Sequence, residues 1–326
     1  MTELVENKSS IDLTAKMIAK GREPHSVIIC GEQGLGKRTL AKYLAAQLLC
    51  EKGTGIPCGS CRHCRLIANN AHPDVITAVS SDSGNYKVDD IRMIVSDAYV
   101  SPNEARMKVY IIPDIDRSVQ TSVQLQNILL KTIEEPPDMT AIILTARSKE
   151  IFLETIISRT IHLYAEEVTP AAAMAFLIGK GIDKALAEEA VRRCGGNIGR
   201  ALQYSQSEEE RASAELAVNC CRALAKGSSG EYELLAAVSE CDGKKAAFMS
   251  LVGYMQRIVR DAVRLRENVG SEYIFSREVC GALGRAYSSR KLVKMYDSLA
   301  EHSTRASANC LVSMLQNSLT AALVSI

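Results

Sequence analysis

The sequence predicts an α/β domain built on a parallel, doubly wound sheet, followed by two all-helical domains. Three observations indicate this. Strand-like and helix-like segments alternate up to about residue 166, a glycine-rich loop separates the first strand from the next helix, and strand-like patterns stop thereafter. The 326 residues are enough for two or three domains. We expect an α/β domain at 1–166, a small helical domain at 167–207 and a second helical domain at 208–326.

The first domain should contain five strands, with helices between them. Each expected strand is a short apolar run. The expected strands span 26–30, 74–78, 108–112, 141–145 and 160–164, and the expected helices lie near 10–20, 37–49, 88–98 and 119–134. Parallel sheets bind ligands at the carboxyl ends of their strands, so the glycine-rich loop after the first strand is a candidate site.

The second half of the chain reads as helices. Thr169-Pro170 combines a helix cap with a proline in the first turn, and two short helices follow at 183–193 and 197–205. Breaks in the domain at 208–326 are expected at 227–230, 242–243 and 270–271. The last helix, near 305–325, has an apolar stripe that is covered either by the rest of the chain or by another subunit.

Composition and charge exclude several classes of protein. The formal net charge of +1 gives no strong overall attraction to DNA or a membrane. No apolar run approaches the ~20 residues of a membrane span, and the first residues lack the features of a signal peptide. Eleven cysteines, an odd number, suit a reducing compartment, so we expect a cytoplasmic protein. With no Trp, stacking on nucleic-acid bases is not the expected mode of binding.

The glycine-rich loop resembles a phosphate-binding loop that lacks one chemical group. The stretch 31–39 fits G-x-x-x-x-G-K-[ST] up to its last position, where a hydroxyl should hold Mg²⁺. Arg38 stands there instead. A hydroxyl comes one residue late, about 100° further round the helix, and should point away from phosphates. The candidate nucleotide-binding residues are Gly31, Gly34, Gly36, Lys37 and Thr39.

A second magnesium position is also altered. In P-loop ATPases the strand corresponding to 108–112 usually ends in Asp-Glu, where Asp assists Mg²⁺ and Glu orients the attacking water. Here Pro113 takes the metal position and Asp114 the base position, with Asp116 as a fallback base. Alternatively, the two acids only form a turn and cap the next helix. Two altered positions together predict that hydrolysis has been lost.

Four cysteines form a candidate metal site. The pattern C-x7-C-x2-C-x2-C brings together Cys50, Cys58, Cys61 and Cys64, and four thiolates can hold one tetrahedral Zn²⁺. Such a site is closed and structural. We name residues 50–64 the zinc module. His63 is a possible substitute ligand that we expect to be a bystander, and the alternative is four unrelated buried cysteines.

Arg159 is a candidate arginine finger. It is the sole charge in the stretch 156–160, just before the last strand. An arginine at the end of a rigid element can reach a neighbour's nucleotide site and stabilise phosphoryl transfer. The alternative is an ordinary surface arginine.

Together these residues resemble the AAA+ clamp-loader family of bacterial DNA polymerase III. The resemblance covers nearly all of the N-terminal half and is carried by residues 25–37, the cysteine cluster, the run Asn127–Pro137 and Ile157–Thr160. Within these, Leu-Leu-Lys-x-x-Glu-Glu-Pro-Pro is highly specific to the family. The C-terminal third resembles its helical collar by position and composition alone.

The resemblance implies roles for several residues. The four cysteines would hold structural Zn²⁺, and Ser158 and Arg159 resemble a Ser-Arg-Cys motif whose arginine reaches the ATP site of an adjacent motor subunit, with Thr160 in place of Cys. Thr145 resembles the sensor after the fourth strand. The helical domain at 167–207 would be the family's lid, in which Gly199 takes the place of the sensor arginine and Arg200 comes one residue late.

The departures from the family pattern favour a stator subunit that does not hydrolyse ATP. Motor subunits of the gamma/tau type keep the groups that are altered here. The implied partners are gamma/tau-type motors, a delta-type subunit and, through the complex, a sliding clamp and primed DNA. Two alternatives remain: an active motor ATPase, or a zinc-dependent DNA-binding module on an inactive ATPase scaffold. Binding of ATP or ADP at Lys37 stays open.

Overall fold

The structure, a computed structural model, describes residues 4–81, 84–241, 244–269, 273–307 and 310–326. The chain divides into two units, Met1–Val168 and Thr169–Ile326. The predicted lid and collar both lie in the second unit, and their separation into two domains stays a prediction. Among the described residues, no helix has the length and apolar character that a membrane span needs.

A five-stranded parallel sheet lies at the centre of the first unit. Its strands are β1 (Ser26–Cys30), β2 (Val75–Thr77), β3 (Lys108–Ile112), β4 (Thr140–Ala146) and β5 (Ile161–Tyr164). Their order in the sheet is β2-β3-β4-β1-β5, and every neighbouring pair is parallel. The predicted strands are confirmed, although β2 is shorter than expected. β1 lies between β4 and β5, so the loop that follows it lies at the sheet's carboxyl edge, beside the end of β4.

Helices surround this sheet. In the described part of the first unit they are α1 (Lys8–Ala19), α2 (Lys37–Leu49), α3 (Arg62–Ala68), α4 (Val88–Asp97), α5 (Asp116–Thr121), α6 (Val123–Glu134) and α7 (Glu154–Ile157), with a 3-10 turn at Lys149–Ile151. The single helix predicted at 119–134 is wrong, because the chain is extended at Ser122. The hydroxyl of Ser122 accepts the N–H of Leu125 at 3.1 Å and so caps α6.

Successive side chains of β1 enter two different cores. Ile29 packs in a core that includes Leu44 of α2, whereas Ile28 packs in a core that includes Leu129 of α6. Successive side chains of a strand point to opposite faces of the sheet. A strand that is buried on both faces therefore needs a continuous apolar run, and the sequence has one here. The phosphate-loop residues therefore follow a strand that is fixed from both sides.

The second unit is helical throughout its described residues. Its helices are α8 (Pro170–Gly179), α9 (Lys184–Cys194), α10 (Ile198–Gln206), α11 (Glu208–Leu224), α12 (Glu231–Ser239), α13 (Lys245–Arg266), α14 (Arg277–Ala286), α15 (Ser289–Ser307) and α16 (Val312–Val324). The break predicted at 227–230 is a 3-10 turn, and those at 242–243 and 270–271 lie outside the described residues.

The apolar stripe of the last helix is divided between core and surface. The helix predicted at 305–325 is wrong, because α15 ends at Ser307 and α16 begins at Val312. Leu319 and Leu323 of α16 are buried, while Met314 is 68% exposed. The rest of the chain therefore covers one part of this stripe.

Candidate functional site

The phosphate loop has the backbone conformations that its glycines permit. Gly31 has φ +149°, and a Cβ there would lie 2.8 Å from the carbonyl oxygen of Ala165. Gly34 and Gly36 have φ values of +92° and +82°, and Gly36 is the N-terminal cap of α2. Side chains larger than hydrogen disfavour these conformations. The loop is thus formed as the sequence predicts, between β1 and α2.

Lys37 lies buried inside this loop. Its ammonium group donates to the carbonyl oxygens of Gly31 and Glu32, at 2.8 and 3.1 Å, and lies 3.8 Å from Oδ1 of Asp114. Burial lowers the pKa of Lys37, and the nearby carboxylates of Asp114 and Asp116 oppose this shift. The lysine is therefore held where the motif places it.

Arg38 and Asp114 form an ion pair at the mouth of the loop. The guanidinium Nε and Nη2 of Arg38 lie 3.0 and 2.8 Å from Oδ2 of Asp114. The two side chains are 64% and 45% exposed. The sequence marked Arg38 as a defect of the metal site and Asp114 as a candidate base, without connecting them. The structure brings them together, whereas Thr39 lies partly exposed one position further along α2.

Thr145 holds Asp114 from the neighbouring strand. Asp114 has a left-handed backbone, with φ +48°, and its N–H donates to Oγ1 of Thr145 at 2.8 Å. The same hydroxyl lies 3.5 Å from Oδ1 of Asp114. Asp116 begins α5 and accepts the backbone N–H of Arg147 at 2.6 Å. Of the two acids, Asp114 is thus the one joined to the phosphate loop.

Arg159 lies on the surface at the end of α7. Its Nη2 is 3.2 Å from Oε1 of Glu134, and its Nη1 donates to the carbonyl oxygen of Thr155 at 3.1 Å and to Oγ of Ser158 at 3.2 Å. The Arg159 side chain is 45% exposed. The sequence did not identify Glu134 as a partner, because Glu134 ends α6 and Arg159 lies 25 positions later, in the turn after α7.

The four cysteines of the zinc module meet. Their sulfur atoms lie within 4.8 Å of one another. Tetrahedral Zn–S bonds of about 2.3 Å place sulfurs about 3.8 Å apart, so the cluster fits this metal. The backbone N–H groups of Cys58, Cys61 and Cys64 donate to the sulfurs of Cys50, Cys58 and Cys61, at 3.3, 3.3 and 3.4 Å. Such donors stabilise thiolates, the form that binds metal.

The individual thiols of this cluster differ in acidity. The hydroxyl of Ser60 and nearby N–H groups lower the pKa of Cys58 to about 6. Burial raises the pKa of Cys64 to about 12. Gly55 packs the module against α1, where a Cβ would lie 2.5 Å from the carbonyl oxygen of Ala15.

His63 lies outside the cysteine cluster and contacts His72. Nδ1 of His63 is 2.8 Å from Nε2 of His72, and Nδ1 of His72 accepts the N–H of Asp74 at 3.0 Å. A neutral His72 must therefore carry its proton on Nε2 and donate to His63. Glu104 lies close enough for these three side chains to form a metal site, but a metal on Nε2 would displace that proton. The hydrogen-bonded chain accounts for the cluster without a metal.

Asp74 anchors the loop before β3, a role that no sequence pattern indicates. Oδ1 accepts the N–H and side-chain amide of Asn103, at 2.7 and 2.9 Å, and Oδ2 accepts the N–H groups of Glu104 and Ala105, at 2.9 and 2.8 Å. Burial raises the pKa of Asp74, but these hydrogen bonds outweigh it, and the pKa falls to about 2.

We predict that Asp74→Asn lowers the free energy of unfolding by about 3 kcal/mol at neutral pH, because an amide puts a donor against N–H donors. Since folding lowers the pKa of Asp74 below its ordinary value of 3.8, its stabilisation is complete above that value and disappears as the pH falls toward 2. Urea unfolding at several pH values measures both effects. Asp89→Asn, at an exposed ion pair, is the control and should change stability by less than about 0.5 kcal/mol.

The glycine-rich turn between α9 and α10 is covered by an arginine from α13. Nη1 of Arg257 donates to the carbonyl oxygen of Cys194 at 2.7 Å, and a Cβ on Gly195 would overlap this guanidinium. Oδ1 of Asn197 accepts the N–H of Arg200 at 3.1 Å and caps α10. Arg200 therefore lies in the first turn of α10, and its role in sensing nucleotide stays a prediction.

Comparison with known proteins identifies the family. The family model described as DNA polymerase III, delta subunit, matches residues 6–169, which is half of the chain. The DNA polymerase III gamma subunit of Buchnera aphidicola (subspecies Acyrthosiphon pisum) is 31% identical over 54% of this chain and 47% of its own length. The delta′ subunit of Bacillus subtilis is 31% identical over 59% of this chain and 57% of its own.

A solved structure covers more of the chain at lower identity. A gamma subunit-related protein of Thermotoga maritima aligns with 97% of this chain and 99% of its own, with 17% identity and a TM-score of 0.44. The chain spans about half the length of the curated relatives that it matches. From the family match and the P-loop α/β unit followed by helices, this chain belongs to the DNA polymerase III clamp-loader family.

Proposed function

We propose that this chain is the stator of a replicative clamp loader, of the delta-prime type. In this role it does not hydrolyse ATP. It supplies Arg159 to the ATP site of a neighbouring motor subunit and helps to load a sliding clamp onto primed DNA. Its partners are gamma/tau-type motors and a delta-type subunit in a cytoplasmic hetero-oligomer, and its cysteine cluster holds structural Zn²⁺.

The ion pair between Arg38 and Asp114 carries this proposal. A P-loop ATPase holds Mg²⁺ with the loop Ser/Thr and an acid from the next conserved strand. In this chain Arg38 stands at the position of the loop Ser/Thr. Its guanidinium forms an ion pair with Asp114, which comes directly after the position of the acid. Asp114 stands at the position of the base, and its pairing with a cation at the position of the loop hydroxyl supports a home site without hydrolysis.

The position of Arg159 supports the second half of the proposal. The Arg159 side chain is 45% exposed at the end of a short helix, and two of its contacts are to residues of that helix end. Both contacts are made by Nη1, so they hold one edge of the guanidinium against the helix end and leave Nη2 facing Glu134, which a phosphate bound to a second subunit would replace as its partner.

The two alternatives differ in support. Similarity to gamma subunits favours a motor ATPase, which would require turnover by the isolated chain. A zinc-dependent DNA-binding module would depend on basic residues such as Arg62, but Nη2 of Arg62 is paired with Glu104 at 2.7 Å. That pairing reduces the positive charge available to DNA and weakens this candidate.

The test compares the isolated chain with a reconstituted loader. The purified chain should show no Mg²⁺-dependent ATP turnover above background. When it is added to gamma/tau-type and delta-type subunits, it should co-purify with them and increase their ATPase rate in the presence of clamp and primed DNA. Turnover by the chain alone at the rate of a motor subunit would contradict the proposal, and so would a loader whose rate does not change on its addition.

A further inference from the structure

We propose that the guanidinium of Arg38 takes the place of the divalent cation in this phosphate loop, so that the site binds polyphosphate without Mg²⁺. The ligand class is a nucleoside or inorganic polyphosphate. This inference deepens the proposed function and rests on it, because it names the ligand of the site that does not hydrolyse ATP.

The first argument is position. Arg38 stands where the loop pattern has the metal-holding hydroxyl, and Asp114 follows the strand that supplies the acidic metal ligand in this fold. Both Nε and Nη2 of Arg38 contact Oδ2 of Asp114. In an active site, Mg²⁺ bridges the start of the helix and the end of the strand. Here the guanidinium of Arg38 joins these two elements directly.

The second argument is charge. The carboxylate of Asp114 lies between two cations, with Arg38 on one oxygen and Lys37 3.8 Å from the other. The three cations Lys37, Arg38 and Arg147 outnumber the two carboxylates of Asp114 and Asp116, which leaves the mouth of the loop cationic. Mg²⁺ would add charge of the same sign beside a guanidinium, and Pro113 at the position of its acidic ligand offers no carboxylate, so this metal does not fit. A bound polyanion would neutralise the remaining positive charge.

The third argument is that the rest of the cradle is preserved. The glycines keep the left-handed conformations that let a loop curve around phosphate, and Gly36 leads directly into α2. Thr145 fixes Asp114 through its backbone N–H, so Asp114 and the bound guanidinium are positioned from the sheet as well as from α2. A loop that had lost all ligands would need none of these contacts.

The experiment uses the isolated full-length chain and two probes, a fluorescent ATP analogue and inorganic tripolyphosphate. Binding is measured with and without added MgCl₂, in metal-free buffer without a chelator, so that the zinc module keeps any metal. The wild-type dissociation constant should differ by less than about twofold between the two buffers, because the guanidinium already supplies the charge.

The informative variant is Arg38→Thr, which restores the hydroxyl of the motif. It should bind at least about tenfold more weakly than wild type without Mg²⁺ and should recover binding when Mg²⁺ is added, because the loss of charged hydrogen bonds is then compensated. Arg38→Lys keeps the charge and should remain independent of Mg²⁺. Arg22→Thr, at an exposed arginine outside the loop, is the matched control and should behave as wild type.

Three results would overturn the inference. They are wild-type binding that requires Mg²⁺, no binding of either probe in either buffer, and an Arg38→Thr variant that is indistinguishable from wild type. Each leaves the stator role intact if the chain still raises the ATPase rate of the loader. If the chain instead binds the probes as expected but does not raise the ATPase rate of the loader, the proposed function is contradicted and the inference on the ligand is not.

Discussion

Replacing Cys58 with alanine should release Zn²⁺ from the chain and unfold the zinc module. The four sulfurs lie within 4.8 Å of one another, a spacing that suits one tetrahedral metal. Without a metal, contacts among four free thiols would stabilise this arrangement only weakly. Structural zinc can supply about 10 kcal/mol of local folding free energy. Residues 50–61 contain few buried apolar side chains, so little else holds this segment in place.

Metal analysis after gel filtration and hydrogen exchange over residues 50–68 measure this effect. Wild type should carry one Zn²⁺ per chain with protected amides in α3, and Cys58→Ala should lose both. Cys310→Ala is the matched control, because Cys310 is an exposed cysteine outside the cluster, and it should retain both. The zinc assignment fails if Cys58→Ala keeps its metal, or if metal-free wild type keeps its protection.

The sheet could be predicted from the sequence because burial on both faces leaves a local signal. Each strand of the parallel sheet must be an apolar run, and Ile28 and Ile29 enter opposite cores for this reason. The division of α5 from α6 was missed although Ser122 is a common capping residue. The apolar periodicity continues across it, and only the extended backbone at Ser122 reveals the break.

The contacts that define the site could not be predicted in the same way. Arg38 and Asp114 are 76 positions apart, and each reads as a separate defect until the fold brings α2 beside the end of β3. The contact of His63 with His72 is similar, since the spacing of His63 among cysteines suggested only a substitute ligand. Motif spacing identifies residues that act together within one loop, whereas ion pairs between elements depend on topology.

Replacing Arg159 with alanine should reduce ATP turnover at the neighbouring motor site by about 10³-fold, while the loader still assembles. The ATPase rate of the whole loader falls only by the fraction that this one site contributes, because the other motor sites do not depend on this chain. Arg159 is exposed and makes its contacts with Glu134 and the end of α7, so its removal leaves the core of the subunit unchanged.

The surrounding residues allow this result to be separated from a general loss of charge. Arg159→Lys keeps the positive charge but loses the planar fork that binds phosphate through two hydrogen bonds, so it should recover only part of the rate. Arg92→Ala removes an equally exposed arginine from its ion pair with Asp89 on α4 and should leave the rate unchanged. Gel filtration confirms assembly for each variant. An Arg159→Ala loader with wild-type turnover would mean that Arg159 is an ordinary surface residue whose partner is Glu134, because a finger that stabilises the transition state cannot be removed without slowing the reaction.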